Sequence, residues 1–478
     1  MKEYDLIVIG SGSGMNYIGA ILDADPDMKV ALIDKDEPGG ICLTRGCIPS
    51  KMLLYPAELV RNIGKAGNFG IKASIENIDF KAVMERMRTS ISADIESIRH
   101  SYTHLQRMDF YNEAAEFVSP YTMKVGDETI TAKMIFLCTG SKPSIPPVKG
   151  LDEVDHLTSD DVLKLEELPE SIAIIGGGYI AAEYGHFFSS MGSKVTIIGR
   201  NPRIIPEEES EVSVLAKRMM SEYMDILTNY EVVEVSSSPE GKTVIAKDRE
   251  TGEEKEITAS AILVATGRSP NTDILKPGVG GIETDERGWI KVNEYLETSM
   301  ENVWAFGDAN GTYLFKHVAN HESTVVYYNA ILKKKMKADY HAVPYAVFSH
   351  PEIAGVGMTE RRAVEEYGED NIVMGLYRFQ ETAKGVAMSL GDEFVKVIFE
   401  AQTQRILGAH IIGPEASVLI HEIIPLMYTE SQDAGPIMYA MDIHPSLSEI
   451  IKRAFYSRVS PMEYHMIMQA YGLEEAEQ

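Results

Sequence analysis

The strongest constraint in this sequence is a pattern that occurs twice. Leu6-Ile7-Val8-Ile9 is a β-branched run that ends in Gly10-Ser11-Gly12-Ser13-Gly14; apolar residues at helical spacing follow, and Lys29-Val30-Ala31-Leu32-Ile33 closes on Asp34. Such a strand–helix–strand unit builds a dinucleotide site. Its glycines let the backbone approach a pyrophosphate, the helix start offers free N–H groups, and a carboxylate after the second strand accepts from ribose hydroxyls. The sixth position of the glycine pattern is Met15, so this copy alone would also suit any βαβ turn. A second copy then follows: Ile172-Ala173-Ile174-Ile175 runs into Gly176-Gly177-Gly178-Tyr179-Ile180-Ala181, and Lys194-Val195-Thr196-Ile197-Ile198 returns at similar spacing. The repeat predicts an α/β fold with two Rossmann-like nucleotide-binding domains, serving two dinucleotides or one long dinucleotide and a nicotinamide.

The copies differ where it matters chemically. Lys29 to Asp34 aligns with Lys194 to Gly199, so the second site lacks the carboxylate of the first, and Arg200 and Arg203 follow instead. A carboxylate there favours a free 2′-hydroxyl, whereas guanidinium groups suit a 2′-phosphate, which pairs with arginine bidentately. The second site is expected to prefer NADPH to NADH; the alternative is that both arginines are solvated loop charges.

The chain has room for these domains. Its 478 residues amount to about three domains of ~150 residues each. With 44% hydrophobic and 24% charged residues it has the make-up of a folded, non-fibrous protein. The balance of 45 basic and 72 acidic side chains, 45 − 72 = −27, argues against a nucleic-acid or anionic-membrane partner while leaving room for a local cationic pocket. Three cysteines, Cys42, Cys47 and Cys138, are too few for a secreted disulfide scaffold. The opening Met1-Lys2-Glu3-Tyr4-Asp5 is charged and leads into four apolar residues, which is a strand and not a signal peptide. No apolar run approaches the ~18 residues of a membrane span. A soluble, cytoplasmic protein is expected.

Two later runs look like closing strands of the nucleotide domains. Ile262-Leu263-Val264-Ala265-Thr266-Gly267-Arg268 echoes Ile135-Phe136-Leu137-Cys138-Thr139-Gly140-Ser141. Val303-Trp304-Ala305-Phe306-Gly307-Asp308 is a further strand that delivers one carboxylate at its end, before a helical stretch from Glu322 onward. Asp308 would accept from a polyol chain such as the ribityl of a flavin, or cap a helix.

The most informative stretch is Gly39-Gly40-Ile41-Cys42-Leu43-Thr44-Arg45-Gly46-Cys47-Ile48-Pro49-Ser50-Lys51. Its two cysteines are close enough for a disulfide if the first helical turn is irregular, and Gly46 and Pro49 supply the irregularity. A helix N-terminus lowers a thiol's pKa, which predicts a reactive pair. Zinc would need four ligands, and no other cysteine or close histidine pair stands nearby, so no metal is expected. Cys138, inside an apolar run, reads as a small buried hydrophobe.

With these motifs together, the chain resembles the flavin-dependent pyridine nucleotide–disulfide oxidoreductases, the family of dihydrolipoyl dehydrogenase and of glutathione, mycothione and mercuric reductases. The likeness rests on the first glycine motif, Gly-Gly-Ile-Cys…Cys-Ile-Pro-Ser-Lys, the Gly176 motif through Glu183, Ala265-Thr266-Gly267-Arg268-x-Pro270-Asn271, Phe306-Gly307-Asp308, Val347-Phe348-x-x-Pro351-Glu352-Ile353-Ala354 and His444-Pro445-Ser446-Leu447-Ser448-Glu449. It implies an FAD domain in two parts (1–150 and 272–340) around an NAD(P) domain (151–271), followed by an α+β dimerisation domain (341–478). FAD would lie on Gly10, Gly12, Gly14, Asp34, Lys35, Gly40, Thr139, Gly140 and Asp308. NAD(P)H would lie on Gly176, Gly178, Arg200, Arg203 and Gly267, under Tyr179 as a movable lid. Cys47 would be the sulfur facing the flavin and Cys42 the one exchanging with a small thiol or disulfide substrate. Lys51 and Glu183 would form an ion pair beside the flavin. His444, oriented by Glu449, would supply the proton for the leaving thiolate from the other subunit, so the active site would be shared across a homodimer.

Within the family, Asp442 departs from the His-x-His-Pro usual in dihydrolipoyl dehydrogenases, and Gly199 departs from their usual acidic residue. Gly12-Ser13-Gly14 and Tyr313-Leu314-Phe315-Lys316-His317-Val318-Ala319-Asn320-His321-Glu322 are more similar to the mycothione reductase branch. The resemblance therefore implies a low-molecular-weight disulfide reductase. The alternatives are a dihydrolipoyl dehydrogenase, which would join a 2-oxoacid dehydrogenase complex, and a transhydrogenase-type flavoprotein, against which the intact Cys42 and Cys47 argue. Arg45, inside the cysteine loop, is expected either to stabilise a thiolate or to meet an anionic substrate. The stripe Ile91, Ile95, Ile98, Tyr102 and Leu105 is core or subunit interface. The acidic tail Glu474-Glu475-Ala476-Glu477 is expected to be mobile.

Overall fold

The computed structural model describes residues 1–239 and 241–474. Of the acidic tail only Glu474 falls within them, where it pairs with His465; Glu475, Ala476 and Glu477 lie outside the described residues.

Both glycine repeats fold as their patterns predict. Lys2–Ile9 pairs in parallel with Val30–Ile33 in the register Leu6↔Val30 to Ile9↔Ile33, and Ser171–Ile175 pairs in parallel with Lys194–Gly199 from Ser171↔Lys194 to Ile175↔Ile198. The buried stretches of these strands, residues 6–9, 30–33 and 172–175, are apolar because helices and neighbouring segments cover both faces. In the first sheet the parallel order is Met108–Tyr111, Val30–Ile33, Lys2–Ile9, Glu128–Leu137 and Val303–Ala305. An antiparallel meander, Ala115–Ser119 and Thr122–Val125, joins the first half of Glu128–Leu137. Val303–Ala305 pairs with Ile135–Leu137, so the chain leaves this sheet, builds the second one and returns. The second sheet runs Asp225–Thr228, Lys194–Gly199, Ser171–Ile175 and Ala261–Val264, all parallel, with an antiparallel three-stranded meander between residues 230 and 259. Ser141–Pro143 and Arg268–Pro270 form a two-stranded link between the two halves. After residue 343 the chain forms a six-stranded antiparallel sheet and a set of short helices.

The isoleucine stripe resolves as core. On the helix Phe80–His104, Ile91 is buried and Ile95 and Ile98 pack against the same apolar cluster, while Tyr102 and Leu105 pack against the core under the first sheet. Among the described residues no helix is long and apolar enough to cross a membrane.

Charged residues also hold the two large halves together. Lys396, on the strand Phe394–Glu400, is fully buried and donates to Glu209 at 3.1 Å, Glu211 at 2.6 Å and Glu360 at 2.7 Å. Beside it the buried His410 pairs with Glu208 at 2.9 Å. Glu208, Glu209 and Glu211 come from the segment after the second nucleotide unit, Lys396 and His410 from the antiparallel sheet, so this network clamps the two together.

Candidate active site

The first glycines of the two repeats sit alike. Gly10 has φ +103° and a Cβ there would lie 2.1 Å from the Cys138 carbonyl oxygen; Gly176 has φ +131° and its Cβ would lie 2.2 Å from that of Ala265. Each therefore accepts no side chain, because the loop passes under the end of the neighbouring strand. Gly14, not the sixth position, provides the close helix–strand packing: its Cβ would meet Cys138 Sγ at 2.9 Å and Val8 at 3.0 Å. This explains why Met15 is tolerated.

The first glycine loop opens into a cavity of about 690 Å³. Of the residues expected to hold FAD, Gly10, Gly12, Asp34, Lys35, Gly40, Thr139, Gly140 and Asp308 line it, and Gly14 packs behind its wall. Cys42, Cys47, Lys51, Tyr179 and Glu183 line it too. A Cβ on Gly40 would come within 2.5 Å of Gly12 Cα, so two backbones form a narrow cradle, and the buried Thr139 hydroxyl in the wall has no hydrogen-bond partner among the described residues. Asp34 Oδ2 accepts from Ser11 N at 2.8 Å and from the Ser11 hydroxyl, which fixes the carboxylate at the end of its strand. Asp308 lies in a short 3₁₀ turn, Gly307–Asn310, that is held by the fully buried Glu322 through Gly307 N at 2.6 Å. The helix after it starts at Lys316, earlier than the expected Glu322. Ser141 donates to Asp308, and Arg268 Nε donates to that hydroxyl at 2.6 Å.

The sulfur chemistry is asymmetric. Cys42 lies in the short helix Gly40–Thr44, and Cys47 opens the helix Cys47–Gly64. Interaction with the neighbouring Cys42 thiol, with the Lys51 charge, holds the Cys47 thiol at about 7 against its burial. The same interaction and burial push Cys42 far up, so the two thiols are shifted in opposite directions. Lys51 Nζ sits 2.8 Å from Glu183 and over the Phe348 ring, whose backbone N–H also binds Glu183 at 3.0 Å. Sequence reading missed Phe348 as the third member of this group. Tyr179, the first residue of the helix Tyr179–Met191, is pushed up to about 12 by burial.

Arg45 lines the same cavity as the two thiols, and its guanidinium is tied to Asp36 at 2.5 Å and Asp160 at 3.1 Å. Cys138 is not inside a strand but just past Leu137, in the cavity wall, and burial raises its thiol well above the ordinary range. His444 is not brought to the cysteines within one chain. It stands two-thirds exposed, with Nδ1 3.0 Å from Glu449, which also accepts from Ser446 N at 3.1 Å; this contact lowers the Glu449 carboxyl.

The second glycine loop is open. Gly178 and Gly267, the latter with φ +108°, have no atoms where a Cβ would go, and Arg200 and Arg203 are exposed with no carboxylate partner among the described residues.

Comparison with known proteins agrees with this geometry. Residues 4–331 match the family model described as pyridine nucleotide-disulphide oxidoreductase, and residues 343–455 match that family's dimerisation domain. The chain is 34% identical over 466 residues to mycothione reductase of Mycobacterium tuberculosis, covering 95% of this chain and 99% of that protein. It is also 34% identical over 472 residues to dihydrolipoyl dehydrogenase of Synechocystis, covering 95% and 98%. Among solved structures, the HOCl-induced flavoprotein disulfide reductase RclA from Escherichia coli superposes with a TM-score of 0.83 at 28% identity, covering 95% of this chain and 99% of that one.

Proposed function

The chain belongs to the pyridine nucleotide-disulphide oxidoreductase family, and from that membership we propose a cytoplasmic, FAD-dependent, homodimeric enzyme that uses NADPH to reduce a low-molecular-weight disulfide through Cys42 and Cys47. The observation that carries the reading is the placing of Cys42 and Cys47 in one cavity wall with Lys51–Glu183 and Tyr179.

In this reading residues 1–150 and 272–340 hold FAD, 151–271 hold the nicotinamide nucleotide, and 341–478 make the dimer contact. The glycine cradle, Asp34 and Asp308 would hold the pyrophosphate, ribose and ribityl of FAD, which when bound carries reducing equivalents from NADPH to the sulfurs. Lys51 keeps a positive charge at that end of the cavity, and Glu183 with Phe348 N keeps Lys51 in place. Tyr179 covers the nicotinamide entrance until the nucleotide displaces it. Arg200 and Arg203, free of carboxylates, bind the 2′-phosphate.

With the disulfide open, Cys42 attacks one sulfur of R–S–S–R. A Cys42–S–S–R bond forms, the substrate S–S bond breaks, and RS⁻ leaves with a proton from His444 of the partner subunit. Cys47 then attacks the Cys42 sulfur, a second RS⁻ leaves, and the Cys42–Cys47 disulfide returns. Glu449 holds the imidazole in one tautomer.

Dihydrolipoyl dehydrogenase activity is the second reading, favoured by the Synechocystis relative. A turnover screen with both nucleotides against lipoamide, glutathione disulfide, bis-γ-glutamylcystine, CoA disulfide and mycothione disulfide separates the two. The proposal expects NADPH with a small disulfide; NADH with lipoamide alone would replace it.

A further inference from the structure

His444 stands on a stretch of chain that the apolar core does not hold. Met438 and Leu447 pack against the core of the antiparallel sheet, but none of residues 439–446 between them is buried, and residues 440–448 belong to no helix or strand. In a single chain Met441 is fully exposed and Ile443 is 81% exposed. A segment without core contacts keeps one shape only where polar groups tether it.

The tethers come from one helix, Glu449–Tyr456. At its start Glu449 holds His444 Nδ1 at 3.0 Å and Ser446 N at 3.1 Å. One turn on, Lys452 donates to the Ala440 carbonyl and stands 3.3 Å from the Asp442 carboxylate. Glu449 thus fixes the imidazole ring, and Lys452 fixes the chain that leads up to it. The side chains of Lys452 and Asp442 are 17% and 27% exposed, so the pair is shielded from the water that weakens surface ion pairs. Asp442 is also where the sequence departs from the His-x-His-Pro of dihydrolipoyl dehydrogenases, and the departure has a partner in Lys452. With Nδ1 held by Glu449, Nε2 is the ring nitrogen left for a substrate sulfur.

We propose that Lys452 and Asp442 are positioning residues for the proton transfer of disulfide exchange: by pinning residues 440–442 to the helix that carries Glu449, they hold His444 Nε2 in reach of the departing sulfur. The role rests on the disulfide-reductase reading above. In that step the Cys42 sulfur bonds to one substrate sulfur, the substrate S–S bond breaks with its electron pair going to the other, and that sulfur takes the His444 proton. A misplaced donor slows the step only where the leaving thiolate is basic enough to need the proton.

Single-turnover oxidation tests the role. FAD-loaded enzyme is reduced with dithiothreitol, desalted and mixed with hydroxyethyl disulfide, which releases a basic alkyl thiolate, or with dithiobis(nitrobenzoic acid), which releases a weakly basic aryl thiolate. The Cys42 and Cys47 thiols that remain are trapped by alkylation and counted by mass spectrometry. Lys452→Met and Asp442→Asn should each slow the alkyl reaction about tenfold and leave the aryl one within about twofold, while Lys452→Arg keeps the wild-type ratio. An unchanged ratio in Lys452→Met or in Asp442→Asn would overturn the proposal, whether both rates are intact or both fall equally, as a merely structural role requires. An arginine variant as slow as the methionine one would overturn it too. If Lys452→Met does not give FAD-loaded enzyme, Asp442→Asn decides alone. His444→Gln, measured alongside, separates the two levels: a selective alkyl loss there without one in Lys452→Met or Asp442→Asn refutes this proposal only, whereas no selective loss in His444→Gln refutes the proton-donor reading beneath it.

Discussion

Lys396→Met should be among the most damaging single substitutions outside the redox centre. The ammonium is fully buried and is bound by Glu209, Glu211 and Glu360, with the Tyr464 ring 4.6 Å away. Methionine keeps the volume and removes the charge, leaving three buried carboxylates without their common partner. Breaking a buried ion pair from one side costs about 3–5 kcal/mol. At roughly 2–4 °C per kcal/mol for a unit of 150–250 residues, melting should fall by about 6–20 °C. The pH dependence makes the argument specific. Burial alone would raise the Glu211 carboxyl, but Lys396 and the Tyr464 hydroxyl bring it down to about 2. Its folded pKa lies below the unfolded 4.5, so its contribution is complete above 4.5 and disappears as pH falls towards 2. In Lys396→Met the carboxyls rise instead, and protonation relieves them. Differential scanning calorimetry from pH 4 to 8 should show a deficit that is largest at neutral pH and shrinks on acidification. A change below ~1 kcal/mol at pH 7.5, or a deficit that grows in acid, would refute the reasoning.

Other consequences are open to direct measurement. Burial lowers the buried His410, but Glu208 outweighs it and raises the imidazole from 6.5 to about 9. Its stabilisation of about 3 kcal/mol is therefore complete below pH 6.5 and lost as pH rises through 9, and urea titrations of His410→Gln should lack that alkaline slope. Cys42→Ala removes the neighbouring thiol that holds Cys47 at about 7, so the thiolate absorbance of the reduced variant should titrate nearer the ordinary ~8.5. Arg200→Ala with Arg203→Ala should raise KM for NADPH about tenfold or more and leave that for NADH unchanged, since each charge-assisted bond to a phosphate contributes about 1.5–3 kcal/mol. His444→Gln should slow turnover by about 10²–10⁴-fold while FAD stays bound.

Chemistry that repeats along the chain was the legible part. Two glycine loops after apolar strands predicted two parallel sheets, and Gly10 and Gly176 do lie under equivalent carbonyls. The spacing of Cys42 and Cys47 announced a sulfur pair, but not that the two thiols shift in opposite directions, because that depends on what the fold places around each. The Asp160 partner of Arg45 was hidden for the same reason: it stands in a helix far along the chain and carries no local signal. Lys396 and Glu211 are 185 residues apart and would each pass for surface charges until the strand and helix that carry them pack together. Lys316 stands inside a stretch that is conspicuous in the sequence, and only the fold shows that its ammonium reaches Ser13 in the first glycine loop.

The central claim is that reducing equivalents from NADPH reach the Cys42–Cys47 pair. Thiol titration of the oxidised, FAD-loaded enzyme under denaturing conditions, before and after one equivalent of NADPH without substrate, tests it most directly. The account predicts two new thiols per chain, mapped to Cys42 and Cys47, and none in Cys47→Ser. Flavin reduction with no new thiol would contradict it.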